Sequence, residues 1–160
     1  MYRGPNIGIY TKTNDEFVFV PNGFADTKAK TLASYLKTEF VFASVANTRV
    51  LGTMMVINNN GILLPSLSSQ WEIDHMKKTT KLNVGVLDTK HNALGNLIAA
   101  NDKGGIVSPK IPSEAIKTIR DTLGVETIQK KVAGYHQAGV MISANNIGGI
   151  IHPETDEDDI

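Results

Sequence analysis

The sequence predicts an α/β repeat fold, because three markers recur along it in one register. Gly8, Gly52, Gly95 and Gly139 are separated by 44, 43 and 44 residues, and Pro21, Pro65, Pro109 and Pro153 by 44 each time. An asparagine follows each glycine six residues later, at Asn14, Asn58, Asn101 and Asn145. A fixed period of this size means structural units that stack or circularise, each burying its apolar face against its neighbours.

Within a unit, the residues after the glycine are apolar and β-prone. An Asn-rich turn and a short second apolar run (Ile62 to Leu64, Gly105 to Val107, Gly149 to Ile151) then complete a hairpin. Asn60-Gly61, Lys103-Gly104 and Ile147-Gly148 put a glycine where a tight turn can demand positive φ. Proline ends the second strand, since it lacks the amide hydrogen that the ladder needs.

A helical pattern follows each proline. Ala25, Ala29, Leu32, Ala33 and Leu36 form one apolar stripe at spacings of three and four. Ser69 and Glu72 are placed as a capping box ahead of Ile73 and Met76, and Ser113 opens a helix with Ile116, Ile119 and Leu123 inward and Gly124 as its stop. Third strands are expected at Glu39 to Val45, Asn83 to Leu87 and Val125 to Gln129. The repeats run approximately 1–45, 46–89, 90–132 and 133–160 in a single domain over 1–160, the last repeat being incomplete. Thr155 and Asp158 form a possible capping box for a helix that Ile160 precludes, and a strand equivalent to the third would fall before Met1, so both ends are expected to lack pieces of the architecture.

Composition narrows the function classes. Apolar residues make up 41% and charged residues 20%, and no apolar stretch approaches the roughly 20 residues that cross a bilayer. Met1 to Tyr10 does not read as a signal peptide, so a cytoplasmic protein is expected. Without cysteine there is no disulfide, thiolate nucleophile or cysteine-based metal site. Sixteen basic residues balance sixteen acidic ones, so binding to a ribonucleoprotein would be local and shape-driven, with protein as the direct partner. The acidic run Glu154 to Asp159 reads as a solvated helix start or an acidic tail.

The segments NIGIY, LGTMMVINNNGILLP, ALGNLIAANDKGGIVSP and GGIIHP resemble the repeat signatures of the translation initiation factor 6 family, most specifically across Asn92 to Lys103 and most closely in its archaeal form. The resemblance spans essentially the whole chain. It implies a pentein fold, a five-bladed α-β propeller, of which about three and a half of five repeats would be present. It also implies a ribosome anti-association and large-subunit biogenesis factor. Such a factor binds the large ribosomal subunit, chiefly through a uL14-type protein near the sarcin-ricin loop, and sterically blocks joining of the small subunit. No enzyme activity, catalytic residue, cofactor, metal, membrane or small-molecule substrate is implied, and the chain has no G-x-G-x-x-G, Walker loop, H-E-x-x-H or nucleophile elbow. The guanidine-modifying enzymes of the same fold act, by resemblance, through a cysteine that this chain lacks. The alternative is a non-catalytic repeat module of pentein fold with another protein partner.

The marker glycines and their neighbours are expected to begin equivalent strands and to surface at one rim. The implied ribosome-binding set there is Gly8, Thr53, Gly95, Asn96 and Met141. Glycine also serves where strands crowd near an axis. Asn96 is different: its equivalents are Ile9, Thr53 and Val140, so the fold does not demand an amide, and a polar side chain on a rim is free for recognition. Asn58 to Asn60, Asn101 and Asn145 read as turn residues, and His75, His91, His136 and His152 share no metal-ligand spacing. Trp71, at a helix start, reads as packing or as an exposed anchor, with packing the simpler choice.

Overall fold

In the computed structural model, which describes residues 6–156, the chain forms four small sheets in succession. β1 (Lys12–Thr13) and β2 (Phe17–Pro21) make an antiparallel hairpin, α1 (Asp26–Leu36) follows, and β3 (Glu39–Ala43) returns parallel to β2. A one-turn helix, α2 (Leu51–Met54), leads into β4 (Val56–Ile57), β5 (Gly61–Pro65), α3 (Gln70–Thr80) and β6 (Asn83–Leu87), paired in the same way. The plan recurs in α4 (Leu94–Leu97), β7 (Ile98–Ala100), β8 (Gly105–Val107), α5 (Ile116–Leu123) and β9 (Thr127–Gln129). Last come α6 (Ala138–Met141), β10 (Ile142–Ala144) and β11 (Gly149–Ile151), an antiparallel hairpin with no third strand among the described residues. The expected capping pair Thr155 and Asp158 extends outside those residues.

The core lies between units. Side chains alternate across a strand, so β2 sends Phe17 and Phe19 toward Leu51, Met55, Ile62 and Met76 of the next unit, while Val18 and Val20 meet Ala29 and Ala33 of α1. β5 divides in the same way: Ile62 and Leu64 face the first unit, and Leu63 packs with Leu94, Ile119 and Leu123 of the third. Each fully buried Phe, Leu or Met contributes roughly 1.5–3 kcal/mol, and most of that is realised only when neighbouring units meet.

Helix ends follow their local chemistry. The hydroxyl of Ser69 accepts from the Glu72 amide at 3.3 Å, and Glu72 Oε2 accepts from the Ser69 amide at 2.8 Å, which completes the expected capping box. Gly124 stops α5 in the left-handed conformation, with φ 64. Lys37 and Lys81 hold the same conformation after α1 and α3. Ser113 opens a short 3-10 turn, Ser113–Ala115, ahead of α5.

Several expectations change. Val45 leaves β3 for an isolated bridge to Thr48, and Val125 stays buried in the core while β9 begins only at Thr127. Gly61, Gly104 and Gly148 do not adopt positive φ. The asparagine side chain makes the turn instead: Asn58 Oδ1 accepts from the amides of Asn60 and Gly61, both at 3.0 Å, and Asn14, Asn101 and Asn145 repeat the arrangement. Gly61 is needed for closeness, since a Cβ there would collide with the carbonyl oxygen of Thr122 on α5. Trp71 is 62% exposed and stacks on His75 with ring centroids 5.2 Å apart, so the packing reading is wrong.

Candidate functional site

The marker glycines sit in helical turns and do not begin strands. Gly52, Gly95 and Gly139 occupy the second position of α2, α4 and α6, and Gly8 lies in a 3-10 turn, Ile7–Ile9. Each turn closes on its own backbone, as when the Met55 amide donates to the Leu51 carbonyl at 3.0 Å. The turns stack on one another. A Cβ on Gly52 would collide with the Gly8 carbonyl oxygen, one on Gly95 with that of Gly52, and one on Gly139 with that of Gly95. Second carbonyls crowd these positions as well, at 2.8 Å from Thr11, 2.9 Å from Met55 and 2.7 Å from Ile98 respectively. Backbone cannot yield as a flexible side chain can, so the four turns converge only with glycine at Gly52, Gly95 and Gly139.

Equivalent residues of all four units line a central cavity below these turns, about 610 Å³ in volume. It shares Thr13, Ile57, Ala100 and Ala144 with a second cavity of about 450 Å³ at the asparagine end. Hydrogen bonds between units converge there. Asn14 Nδ2 donates to the Asn58 carbonyl at 3.1 Å, Asn58 Nδ2 to that of Asn101 at 3.2 Å, and Asn101 Nδ2 to that of Asn145 at 3.0 Å. Beside this ladder, Asn59 Nδ2 donates to Asp15 Oδ2 at 2.7 Å and to Asp102 Oδ2 at 2.6 Å, and Asn146 Nδ2 reaches Asp102 Oδ2 at 2.5 Å and Asp15 Oδ2 at 3.4 Å. The asparagines are therefore turn residues and inter-unit ties at once.

Four of the five expected site residues meet at the glycine-end cavity. Gly8, Thr53, Gly95 and Asn96 line its wall, whereas Met141 does not, because one further step around the α6 turn carries it away and Val140 lines the wall instead. The Thr53 hydroxyl is used within its own turn, donating to the Val50 carbonyl at 2.9 Å. The Asn96 amide N–H donates to the Ala93 carbonyl at 3.0 Å, while its half-buried side chain has no hydrogen-bond partner among the described residues. Gly8 is exposed, and a Cβ there would meet nothing within 4 Å among the described residues.

Sequence reasoning passed over Lys12 near this end, and weighed His136 only as a metal ligand. Lys12 lines the cavity, and burial pushes its ammonium below the usual lysine range. The signal was present in the repeat, since the equivalents of Lys12 are Val56, Ala99 and Ser143. His136 stands three residues before its marker glycine, as Asn92 and Arg49 do before theirs. Desolvation, then the positive charges of Lys131 and Lys110, hold its imidazole below the ordinary value. Asn92 Oδ1 and His136 Nδ1 are buried without a hydrogen-bond partner among the described residues.

A sequence profile of the eIF-6 family matches residues 1–160. The chain is 57% identical over 139 residues to translation initiation factor 6 of Cenarchaeum symbiosum, an alignment covering 87% of this chain and 63% of that protein. The factor of the same name from Nitrosopumilus maritimus is 56% identical over 140 residues, covering 88% and 63%. The Pyrococcus abyssi protein is 34% identical over 163 residues, covering 99% and 72%. The chain thus spans less than two thirds of the first two relatives. The profile match covers the whole sequence, and the chain belongs to the eIF-6 family.

Proposed function

We propose that this protein is a cytoplasmic, non-enzymatic ribosome anti-association and large-subunit biogenesis factor that binds the large ribosomal subunit and sterically blocks joining of the small one. The observation that carries the reading is membership of the eIF-6 family, whose relatives are named translation initiation factor 6. The binding face is the glycine-end rim, with Gly8, Thr53, Gly95 and Asn96 in the cavity wall and Met141 on the α6 turn, outside that wall. An amide with unused donors and acceptor, set among turns stiffened by stacked backbone, is suited to shape-selective contact with a protein surface. A uL14-type protein near the sarcin-ricin loop is the partner implied by resemblance.

The pentein reading belongs to the same proposal: residues 1–160 would form a single incomplete domain with repeats near 1–45, 46–89, 90–132 and 133–160. Its support is the register of inter-unit bonds, which recur between residues 43 or 44 apart. Cosedimentation tests the function. The protein is expected to pellet with large subunits and not with small ones, and equal pelleting with both would remove the reading.

A further inference from the structure

We propose that the glycine-end cavity is a binding site for a small oxyanion, of the carboxylate or phosphate class, held by the ammonium of Lys12. At about 610 Å³ the cavity has the size of ordinary small-molecule sites. Lys12 makes no hydrogen bond or ion pair among the described residues, which leaves its three donors and positive charge uncommitted beside the cavity that it lines. No aspartate or glutamate lines this cavity among the described residues. Asp15 and Asp102 belong to the neighbouring one, where they are committed to Asn59 and Asn146. Asn96 adds a second side chain in the same wall that has no partner among the described residues.

The repeat supplies its own control. Three units build the same wall with Val56, Ala99 and Ser143 at this position, so neither the hairpin nor the stacking of turns calls for a lysine. Lys12 is half-buried and has no partner among the described residues, and withdrawing an ammonium from water without a counter-charge is unfavourable, which is the direction in which desolvation moves its pKa. A group kept against that cost, in a cavity, is the arrangement that marks ligand sites. An entering oxyanion would supply the missing counter-charge where weak screening strengthens the attraction.

The test is NMR of the labelled protein, following the Lys12 side-chain 13Cε resonance, assigned by its absence in Lys12→Met, during separate titrations with acetate, succinate and inorganic phosphate at constant ionic strength. The expected result is a saturable shift of Lys12, with a dissociation constant of about 1 mM or below for at least one anion, consistent with two charge-assisted hydrogen bonds. Exposed lysines should not shift, and the anion that saturates identifies the source. Asn96→Ala should weaken binding by about tenfold. Isothermal titration of Lys12→Met with the same anion should show loss of binding. A Lys12 resonance that no anion moves, or that drifts without saturation alongside the surface lysines, overturns the proposal. So does undiminished binding in Lys12→Met.

Discussion

Asp102 clamps Asn59 of the preceding unit at two points, accepting the Asn59 backbone amide at Oδ1, 2.8 Å away, and its side-chain amide at Oδ2, 2.6 Å away. The same carboxylate also receives Asn146 Nδ2 from the following unit. One acidic side chain thereby ties three consecutive units. Asp102→Asn should cost about 1–3 kcal/mol, because its new NH2 can oppose the donors it replaces acceptors for. Chemical denaturation measures this, and an unchanged midpoint would show that the clamp adds nothing.

The glycine stack gives a paired prediction. Gly95→Ala forces a Cβ into the Gly52 carbonyl and should cost about 3 kcal/mol or more, or prevent folding. Gly148→Ala meets nothing within 4 Å among the described residues and does not need positive φ, so it should change stability by less than about 1 kcal/mol. Thermal melts of the two variants decide whether closeness of the turns, rather than glycine itself, is what matters.

Glu72 makes stability depend on acid pH. Burial alone would raise its carboxyl, but the amides of Asn47 and Ser69 and the hydroxyls of Ser44 and Ser69 outweigh burial and hold it below the usual value. A depressed carboxylate contributes fully above its unfolded pKa, and the contribution is lost as pH falls through the folded value. The protein should therefore lose stability below about pH 4.5, and Glu72→Gln should be less stable at pH 7 by about 1–3 kcal/mol while losing less on acidification. Parallel acid titrations of both proteins would expose a missing difference.

Lys12 predicts the opposite sign for a mutation. Its folded pKa lies below the unfolded one, so the penalty is complete below the folded value and fades as pH rises toward 10.5. Lys12→Met should raise the melting temperature at pH 7 by about 2–4 °C, the response of a domain this size to about 1 kcal/mol. That gain should shrink at alkaline pH. A lower melting temperature at pH 7 would mean that the ammonium is stabilised in the cavity without any ligand.

Asn96→Asp tests the proposed rim. It keeps the size of the side chain but introduces a charge, and should weaken large-subunit binding by about 1–3 kcal/mol with little change in melting temperature. Normal subunit binding by this variant would take Asn96 out of the site.

The last unit exposes Val140, Ile147 and Ile150, with Ile147 96% accessible. Apolar surface of this kind should bind a hydrophobic dye and promote self-association, and Ile150→Lys should reduce both. Dye fluorescence and sedimentation velocity measure the two effects. No dye response from the unmodified chain would mean that this surface is covered in solution.

The period, the unit plan and the family are legible in the residues alone, because each rests on local chemistry repeated at a fixed interval. Proline ends a strand wherever it falls, Ser69 with Glu72 caps a helix without distant help, and an asparagine six residues after a glycine marks a turn in every unit. What those markers do between units emerges only when the units pack. Gly52 reads the same in sequence whether it starts a strand or stacks on the Gly8 carbonyl, and Asn58 the same whether it only shapes its turn or also bonds Asn101. Lys12 shows the difference most plainly. Its spacing places it on a strand, but only the convergence of four units makes its surroundings a cavity, and burial, unlike periodicity, is a property of everything around a residue.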